Sequence, residues 1–264
     1  MGTVKRDREE AIIIETQLRV LQARITPLER IVELFAGSLS KPQLHRQGLD
    51  RGFRFENPDV HHFCLLKAVR IVSALNAGIV LARSGYTQEI SVLIRTLVEC
   101  ATHIEFVLDS TDSLEHRTVV EKYVNAFFED FRRDNEAKIK RAQVRQGAVH
   151  TTLGSTLDGI AEKYEDTRER VPAAVLYSNI YRVYSNYVHA KYPEVMDLYG
   201  GTPGHFHLRG MNGTPKDGEN MDLLETFIET SSNTFVVMIQ GLDLRKLVDG
   251  DSVLATWYRG RFNQ

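Results

Sequence analysis

The chain has 264 residues, of which 42% are hydrophobic and 26% charged, and its formal net charge is −2. This is the composition of an ordinary globular protein, with enough residues for one large core or two modest ones. No overall positive charge would draw the protein onto nucleic acid, which disfavours a dedicated DNA-binding protein and means that any contact with RNA or DNA would have to be local.

The first predicted helix covers residues 8–36, where apolar residues recur at steps of three and four. Pro27 is expected to kink or split it, and Gly37 to end it. Residues 37–57 hold three glycines and a proline without any period, and we predict a loop there. Asn57 followed by Pro58 then predicts the start of a helix that runs to about Arg83.

Ser84 and Gly85 interrupt the pattern, and a new helix is predicted from Thr87, so that the two helices form an antiparallel hairpin. The remaining predicted elements follow in order: a charged helix capped by Ser110 or Asp112 and reaching about Gln146, a weaker helix at 154–168, a helix from Pro172 to before Pro193, an irregular segment at 199–219, a final helix at about 220–247, and an aromatic tail. The basic stretch 132–145 is either a solvated helix face or a contact to an RNA backbone.

The predicted fold class is therefore all-α: an antiparallel helical bundle of about six to seven helices with two long loops, 37–57 and 199–219. Residues 1–57 form an N-terminal helix and loop, residues 58–264 form the bundle, and the whole is expected to be one compact unit. Cys64 and Cys100 are expected to be buried free thiols. The most apolar window, 71–82, is shorter than a bilayer span. We predict a cytoplasmic protein with no membrane contact.

The segment NIYRVYSNYVHAKYP, residues 179–193, concentrates hydrogen-bonding side chains on one predicted helix. Residues three, four and seven apart share a helix face, so Arg182, Ser185 and His189 form one row. Tyr181 borders this row, and Asn186 stands one step to the side. Metal-free cleavage of RNA needs a base, an acid and a cation for the phosphate, which a histidine and an arginine can supply. A structural polar seam explains the same residues equally well.

A second row lies on the helix LIRTLVECATHIEF, where Arg95, Glu99 and His103 are spaced at i, i+4 and i+8. We predict a partly buried Arg95–Glu99 ion pair, because charges on so apolar a helix need partners. His103 is more simply explained as a core or interface histidine. We also hypothesise that this row faces the row of Arg182, Ser185 and His189 across the bundle.

These two segments resemble a family of uncharacterised helical bacterial proteins that carry an R-x-x-x-E helix and a later Y-x-x-x-S-x-x-x-H helix, over about residues 60–200. The second segment also resembles the HEPN superfamily, whose signature is an arginine and a histidine with four to six residues between them, here Arg182 and His189 with six. Val183 departs from that pattern, since active members commonly have a polar residue directly after the arginine.

The HEPN resemblance implies a helical bundle over 58–264, often assembled as a dimer in which two copies of the motif meet and cut RNA without metal. It implies catalytic roles for Arg182 and His189 only, and a role as a toxin or antiphage effector. From their places on the helix, we assign supporting roles to Tyr181, Ser185 and Asn186. Arg95 and Glu99 would form the facing wall, with His103 as a further supporting residue. The alternative is a non-catalytic sensor, scaffold or antitoxin-like subunit of a defence complex.

No metal or cofactor is predicted. The histidine pairs at 61–62 and in HFH at 205–207 could supply metal ligands, but no clustered carboxylates or His-Glu-x-x-His pattern accompany them. No phosphate-binding glycine loop, Gly-x-Ser-x-Gly motif or DNA-binding motif is present.

Overall fold

The computed structural model describes residues 2–47, 50–108, 114–129, 184–200, 206–214 and 216–261. Within these ranges the regular elements are helices and one small two-stranded sheet, which confirms the predicted all-α fold class. In chain order they are α1 (Gly2–Ser38), β1 (Gln43–Gln47), β2 (Asp50–Arg54), α2 (Val60–Arg83), α3 (Thr87–Leu108), α4 (Leu114–Glu129), α5 (Tyr192–Gly200), α6 (Lys216–Gly241), α7 (Arg245–Asp249) and α8 (Ser252–Gly260).

Helix α2 lies at the centre of the bundle and packs against α1, α3 and α6. By length and composition alone it could cross a membrane. Its large side chains Phe63, Ile71, Leu75 and Ile79 are instead buried in a continuous core that extends from α1 to α8. The apolar composition of α2 is therefore what a helix covered on three sides requires.

Of the two outcomes expected at Pro27, a kink or a split, the split does not occur, because α1 is continuous from Gly2 to Ser38 with Pro27 inside it. A proline removes one backbone hydrogen bond and crowds the preceding turn. The residues on either side, Ile25 and Leu28, are fully buried. Their packing against the core offsets the local cost, so the helix passes through the proline.

The predicted loop 37–57 also needs correction, because β1 and β2 form an antiparallel hairpin within it. The next helix begins at Val60 rather than at Pro58, since Asp59 is its N-cap and accepts hydrogen bonds from the backbone N–H groups of His61 and His62. A carboxylate at this position satisfies donors that the first helical turn leaves unpaired.

The turn between α2 and α3 is held by a distant segment of the chain. Gly85, with φ of +73°, accepts a hydrogen bond from the N–H of Met211 at 2.8 Å, and Asn212 donates to the carbonyl of Arg83 at 3.1 Å. A Cβ atom on Gly210 would lie only 2.0 Å from the carbonyl oxygen of Ser84. The predicted antiparallel α2–α3 pair is thus confirmed, and its turn is clamped by residues 210–212.

The C-terminal region differs from the predicted single helix 220–247 followed by a tail. Helix α6 begins at Lys216, and the predicted tail is largely helix α8, capped by Asp251. Tyr258 is buried, and Arg261 lies over the ring of Trp257. Asp251 both caps α8 and pairs with Arg30 of α1, so the C-terminus is part of the bundle.

Several predicted features lie outside the described residues, namely the caps at Ser110 and Asp112, the charged helix beyond residue 129 with its basic stretch 132–145, the helix at 154–168, and the helix start at Pro172. The predicted helix end before Pro193 is confirmed, because the helical residues 184–188 are followed by a turn at 189–190.

A carboxyl group is held between α3 and α6. The hydroxyl of Thr234, itself fully buried, donates to Oε1 of Glu105 at 2.8 Å. Burial raises the pKa of Glu105 above its usual value, and the hydrogen bond from Thr234 only partly opposes this. The charged form of Glu105 is therefore disfavoured in the folded protein.

Replacement of this side chain, Glu105→Gln, is expected to stabilise the protein at neutral pH. The pKa of Glu105 is higher in the folded protein than in the unfolded chain. Its contribution to the free energy of unfolding is therefore fully present below about pH 4 and is lost as the pH rises through the pKa of the folded state. Urea unfolding between about pH 4 and pH 8 measures this. The matched control is Glu89→Gln at an exposed position of α3; equal responses of the two variants would contradict the burial argument.

Candidate active site

Residues 184–188 are helical, and the way this helix ends determines where His189 lies. Ala190 has a φ of +46°. Its N–H donates to the carbonyl of Tyr187, and the N–H of Lys191 donates to the carbonyl of Asn186, both at 3.1 Å. These two bonds and the left-handed residue form a Schellman motif, in which His189 is the C-cap. The backbone of His189 is thereby fixed at the end of the helix.

The inward side of this helix is formed by two tyrosines. The ring of Tyr184 packs edge-on against Phe227 of α6 with centroids 5.6 Å apart, and it stacks on the ring of Tyr187. Burial raises the pKa of Tyr184. This aromatic contact attaches the helix to the core and orients its remaining faces.

Tyr187 also joins the helix to α5, because its hydroxyl donates to Oδ2 of Asp197 at 3.2 Å. Burial and the nearby carboxylate charge of Asp197 raise the pKa of Tyr187 to about 12. Helix α5 is attached in turn to α3, since Gln88 donates to the backbone carbonyl of Glu194. The charge of Asp197 also helps to raise the pKa of Lys216, after the larger effect of the hydrogen bond to Glu219.

The outward side carries the candidate catalytic groups. His189 is exposed, and Ser185 and Asn186 are half-buried. Ser185 and His189 lie one turn apart, since the N–H of His189 donates to the carbonyl of Ser185 at 3.0 Å. The structure therefore places the predicted Ser185–His189 pair on one face, with the imidazole open to solvent. Tyr181 and Arg182 lie outside the described residues.

The predicted ion pair on α3 is present. Nη2 of Arg95 lies 3.3 Å from Oε1 of Glu99, and both side chains are about three-quarters buried. Lys67 of α2 lies nearby, over the ring of Phe127 at 4.8 Å, and burial lowers the pKa of its ammonium group while the charge of Glu99 partly opposes this. Because each charge of this largely buried ion pair has a partner, neither is left as an uncompensated buried charge.

His103, the third member of that row, is 4% exposed and lies edge-on to Tyr123 of α4, with ring centroids 5.3 Å apart. This position agrees with the interpretation of His103 as a core histidine. The expectation that this row faces the row of Arg182, Ser185 and His189 stays a prediction, and Arg182 lies outside the described ranges.

The histidine pair 61–62 is part of a hydrogen-bonded cluster that the sequence did not indicate. Nδ1 of His62 lies 2.7 Å from Oδ1 of Asp59, and its Nε2 lies 3.1 Å from Oγ of Ser40. Partial burial alone would raise the pKa of Asp59, but hydrogen bonds from His62 keep it below its usual value. In the part of the chain that the structure describes, no three His, Cys, Asp or Glu side chains are grouped as metal ligands.

A sequence model of the family described as "Family of unknown function (DUF5677)" matches residues 61–205, more than half of the chain. The matched region contains the Arg95–Glu99–His103 row and the segment from Tyr181 to His189. No curated protein and no solved structure matches the chain.

Loss of the Tyr187 hydroxyl, in Tyr187→Phe, is expected to lower the free energy of unfolding by about 1–2 kcal/mol, because Asp197 loses a hydrogen-bond donor. Tyr184→Phe is the matched control, since the contacts described above for Tyr184 are made by its ring. The contribution of Tyr187 to the free energy of unfolding is fully present below its pKa of about 10 in the unfolded chain. It is lost as the pH rises through its pKa of about 12 in the folded protein. Urea titrations check both effects, and similar losses in the two variants would count against this hydrogen bond.

The strained residue next to His189 gives a second expectation. Ala190→Gly should increase stability by about 0.5–1 kcal/mol, because glycine adopts positive φ without the clash that Cβ makes. The same change in the middle of α2, Ala77→Gly, should cost about 1 kcal/mol. Thermal unfolding compares them; destabilisation by both substitutions would refute the strain at position 190.

Proposed function

We propose that this chain, which belongs to the DUF5677 family of unknown function, is a metal-independent endoribonuclease of the HEPN type. The observation that carries the proposal is the exposed imidazole of His189, fixed as the C-cap of a helix whose other side is attached to the core. The resemblance of Arg182 and His189 to the R-x(6)-H signature gives the reaction class.

In the proposed reaction the 2′-oxygen of a ribose attacks the adjacent phosphorus while the bond from phosphorus to the 5′-oxygen of the next nucleotide breaks. One base removes the proton of the 2′-hydroxyl, and one acid protonates the leaving 5′-oxygen. An imidazole fills either role near neutral pH. The products are a 2′,3′-cyclic phosphate and a free 5′-hydroxyl, so no metal or cofactor is needed to balance the step.

Arg182 is assigned to the phosphate, because a guanidinium group presents a planar fork of N–H donors to phosphate oxygens and keeps its charge through the reaction. Ser185 lies on the same face as His189, one turn away, and is assigned to positioning together with Tyr181 and Asn186. A single histidine cannot be base and acid at once, so we propose a homodimer in which two copies of the motif meet.

The ion pair of Arg95 and Glu99 is assigned to the wall of this site. Its support for this role is its accessibility to solvent: both side chains keep about a quarter of their surface exposed, whereas His103 is buried in the core. The proposed setting is the cytoplasm, where an RNase of this kind would act as a toxin or an antiphage effector on cellular RNA.

One observation favours a second candidate, a non-catalytic sensor, scaffold or antitoxin-like subunit. Much of the polar chemistry of the segment already has a structural use, since Tyr184 packs on Phe227 and Tyr187 binds Asp197. In that function the outward face would bind a partner or ligand rather than cut RNA.

The deciding experiment incubates the purified chain with labelled tRNA and total RNA in the presence of EDTA. His189→Ala is expected to abolish cleavage, a loss of at least about 100-fold for a residue that transfers a proton. Its thermal unfolding should be unchanged, because the side chain is exposed. Cleavage should depend on pH through a bell-shaped profile, and the products should carry 2′,3′-cyclic phosphate ends.

Val188→Ala is the matched control, because Val188 is the exposed neighbour of His189 and has no titratable group. It should cut RNA like the parent chain. Cleavage that survives in His189→Ala, or that disappears with EDTA, would refute the proposal. A melting temperature lowered by several degrees in His189→Ala would favour the structural function of the second candidate.

A further inference from the structure

The hairpin of β1 and β2 carries a concentration of positive charge that the chain as a whole does not have. Residues 41–54 contain four basic side chains and one acidic one, in a chain whose formal net charge is −2. Every side chain from Lys41 to Arg46 is exposed. The hairpin is therefore a local site of attraction for a polyanion.

One face of the hairpin adds apolar groups to this charge. In the backbone register Leu44 is paired with Phe53 and Arg46 with Arg51. Leu44 is 47% and Phe53 is 68% exposed. Alternate residues of a strand share a face, so Leu44, Arg46 and Phe53 lie on the same side of the ribbon. We call these three residues the ribbon face.

The base of the hairpin is fixed at both legs by His62 of α2. Nε2 of His62 lies 3.1 Å from Oγ of Ser40, just before β1, and its ring lies 4.4 Å from the ring of Phe55, just after β2. His62 is buried and is itself bound to the N-cap Asp59. The ribbon is thus attached to the helical core at its base, while its face remains in solvent.

We propose that the ribbon face binds single-stranded RNA. Phe53 would stack on a base, Leu44 would contact the same base or its neighbour, and Arg46 would bind the backbone phosphates. Aromatic stacking combined with cationic contacts is the usual way in which proteins hold unpaired nucleotides without regard to sequence. The inference rests on the proposed function for its substrate, and adds a binding site separate from the segment that contains His189.

The charge of the hairpin argues against a second copy of the chain as the occupant of this face. Two identical ribbons that met through Leu44 and Phe53 would bring Arg46 of each copy close together, and like charges in such a contact are unfavourable. A polyanion is attracted by the same charges. Electrostatic complementarity therefore selects the nucleic acid.

The test measures fluorescence anisotropy of a labelled oligouridylate of about 20 nucleotides, long enough to cover a typical single-strand site. It uses the full chain with His189→Ala, so that the RNA is not cut. Phe53→Ala in this background should weaken binding about tenfold, and Phe53→Tyr should retain it, because both aromatic rings stack. Arg46→Ala should reduce the slope of log K against log salt by about 0.7, the value for one phosphate contact.

The matched control is Gln43→Ala, an exposed residue of β1 on the opposite side of the ribbon, which should bind like the parent. Circular dichroism and thermal unfolding establish that all variants are folded. Unchanged affinity in Phe53→Ala overturns the proposal. If the affinity is unchanged and Phe53→Ala also alters the sedimentation coefficient, Leu44 and Phe53 form a contact between two chains instead.

This measurement and the cleavage assay of the parent chain together separate the two proposals from each other. RNA binding that depends on Phe53, from a chain that cuts no RNA, supports the ribbon face and refutes the nuclease. Cleavage that depends on His189, from a chain whose RNA affinity does not depend on Phe53, supports the nuclease and refutes the ribbon face.

Discussion

The structure depends on covering one very apolar helix. Helix α2 exposes too much hydrophobic surface to stand at the edge of a bundle, so α1, α3 and α6 pack around it, and burial of these side chains is the main favourable term in folding. The other features are arranged relative to this helix. Its N-terminus holds the β-hairpin through His62, its C-terminal turn is clamped by residues 210–212, and the candidate active site lies on a segment attached to α3 and α6.

This arrangement brings together two interpretations of the polar helix that the sequence alone set against each other. The inward tyrosines, Tyr184 and Tyr187, have structural partners in Phe227 and Asp197. On the outward face His189 is exposed. Tyrosine suits the structural role because its ring packs against the core while its hydroxyl group can still bind a carboxylate. The inward face of this short segment thus attaches it to the core, and only the outward face, with His189, is available for chemistry.

Much of the fold could be predicted because α2 and α3 show the apolar spacing that burial imposes on a helix. The hairpin could not, because it does not bury either face on the core and its strands therefore lack an alternating apolar pattern. The continuity of α1 through Pro27 is decided by the tertiary packing of Ile25 and Leu28, which local rules do not contain. The choice of Asp59 over Asn57 as N-cap depends on a hydrogen bond to His62.

In the candidate site, too, some features could be predicted from the sequence and others could not. The pairing of Arg95 with Glu99 follows from helical spacing, because residues four apart are neighbours on one helix. The bond from Tyr187 to Asp197 crosses a left-handed turn at Ala190, and no periodicity continues through such a turn. The exposed position of His189 likewise depends on which side of the helix meets Phe227.

The clamp on the α2–α3 turn has a consequence for which substitutions this chain can accept. Gly85 lies inside the region that the family model matches, and Gly210 lies just beyond its end at residue 205. The two backbones are so close that neither position has room for a side chain. A substitution at Gly85 must therefore be accommodated by the segment around Gly210, and a substitution at Gly210 by the turn that contains Gly85. The region that the family model matches, residues 61–205, is therefore smaller than the physical unit, because the carbonyl of Gly85 accepts a hydrogen bond from Met211, which lies beyond that region.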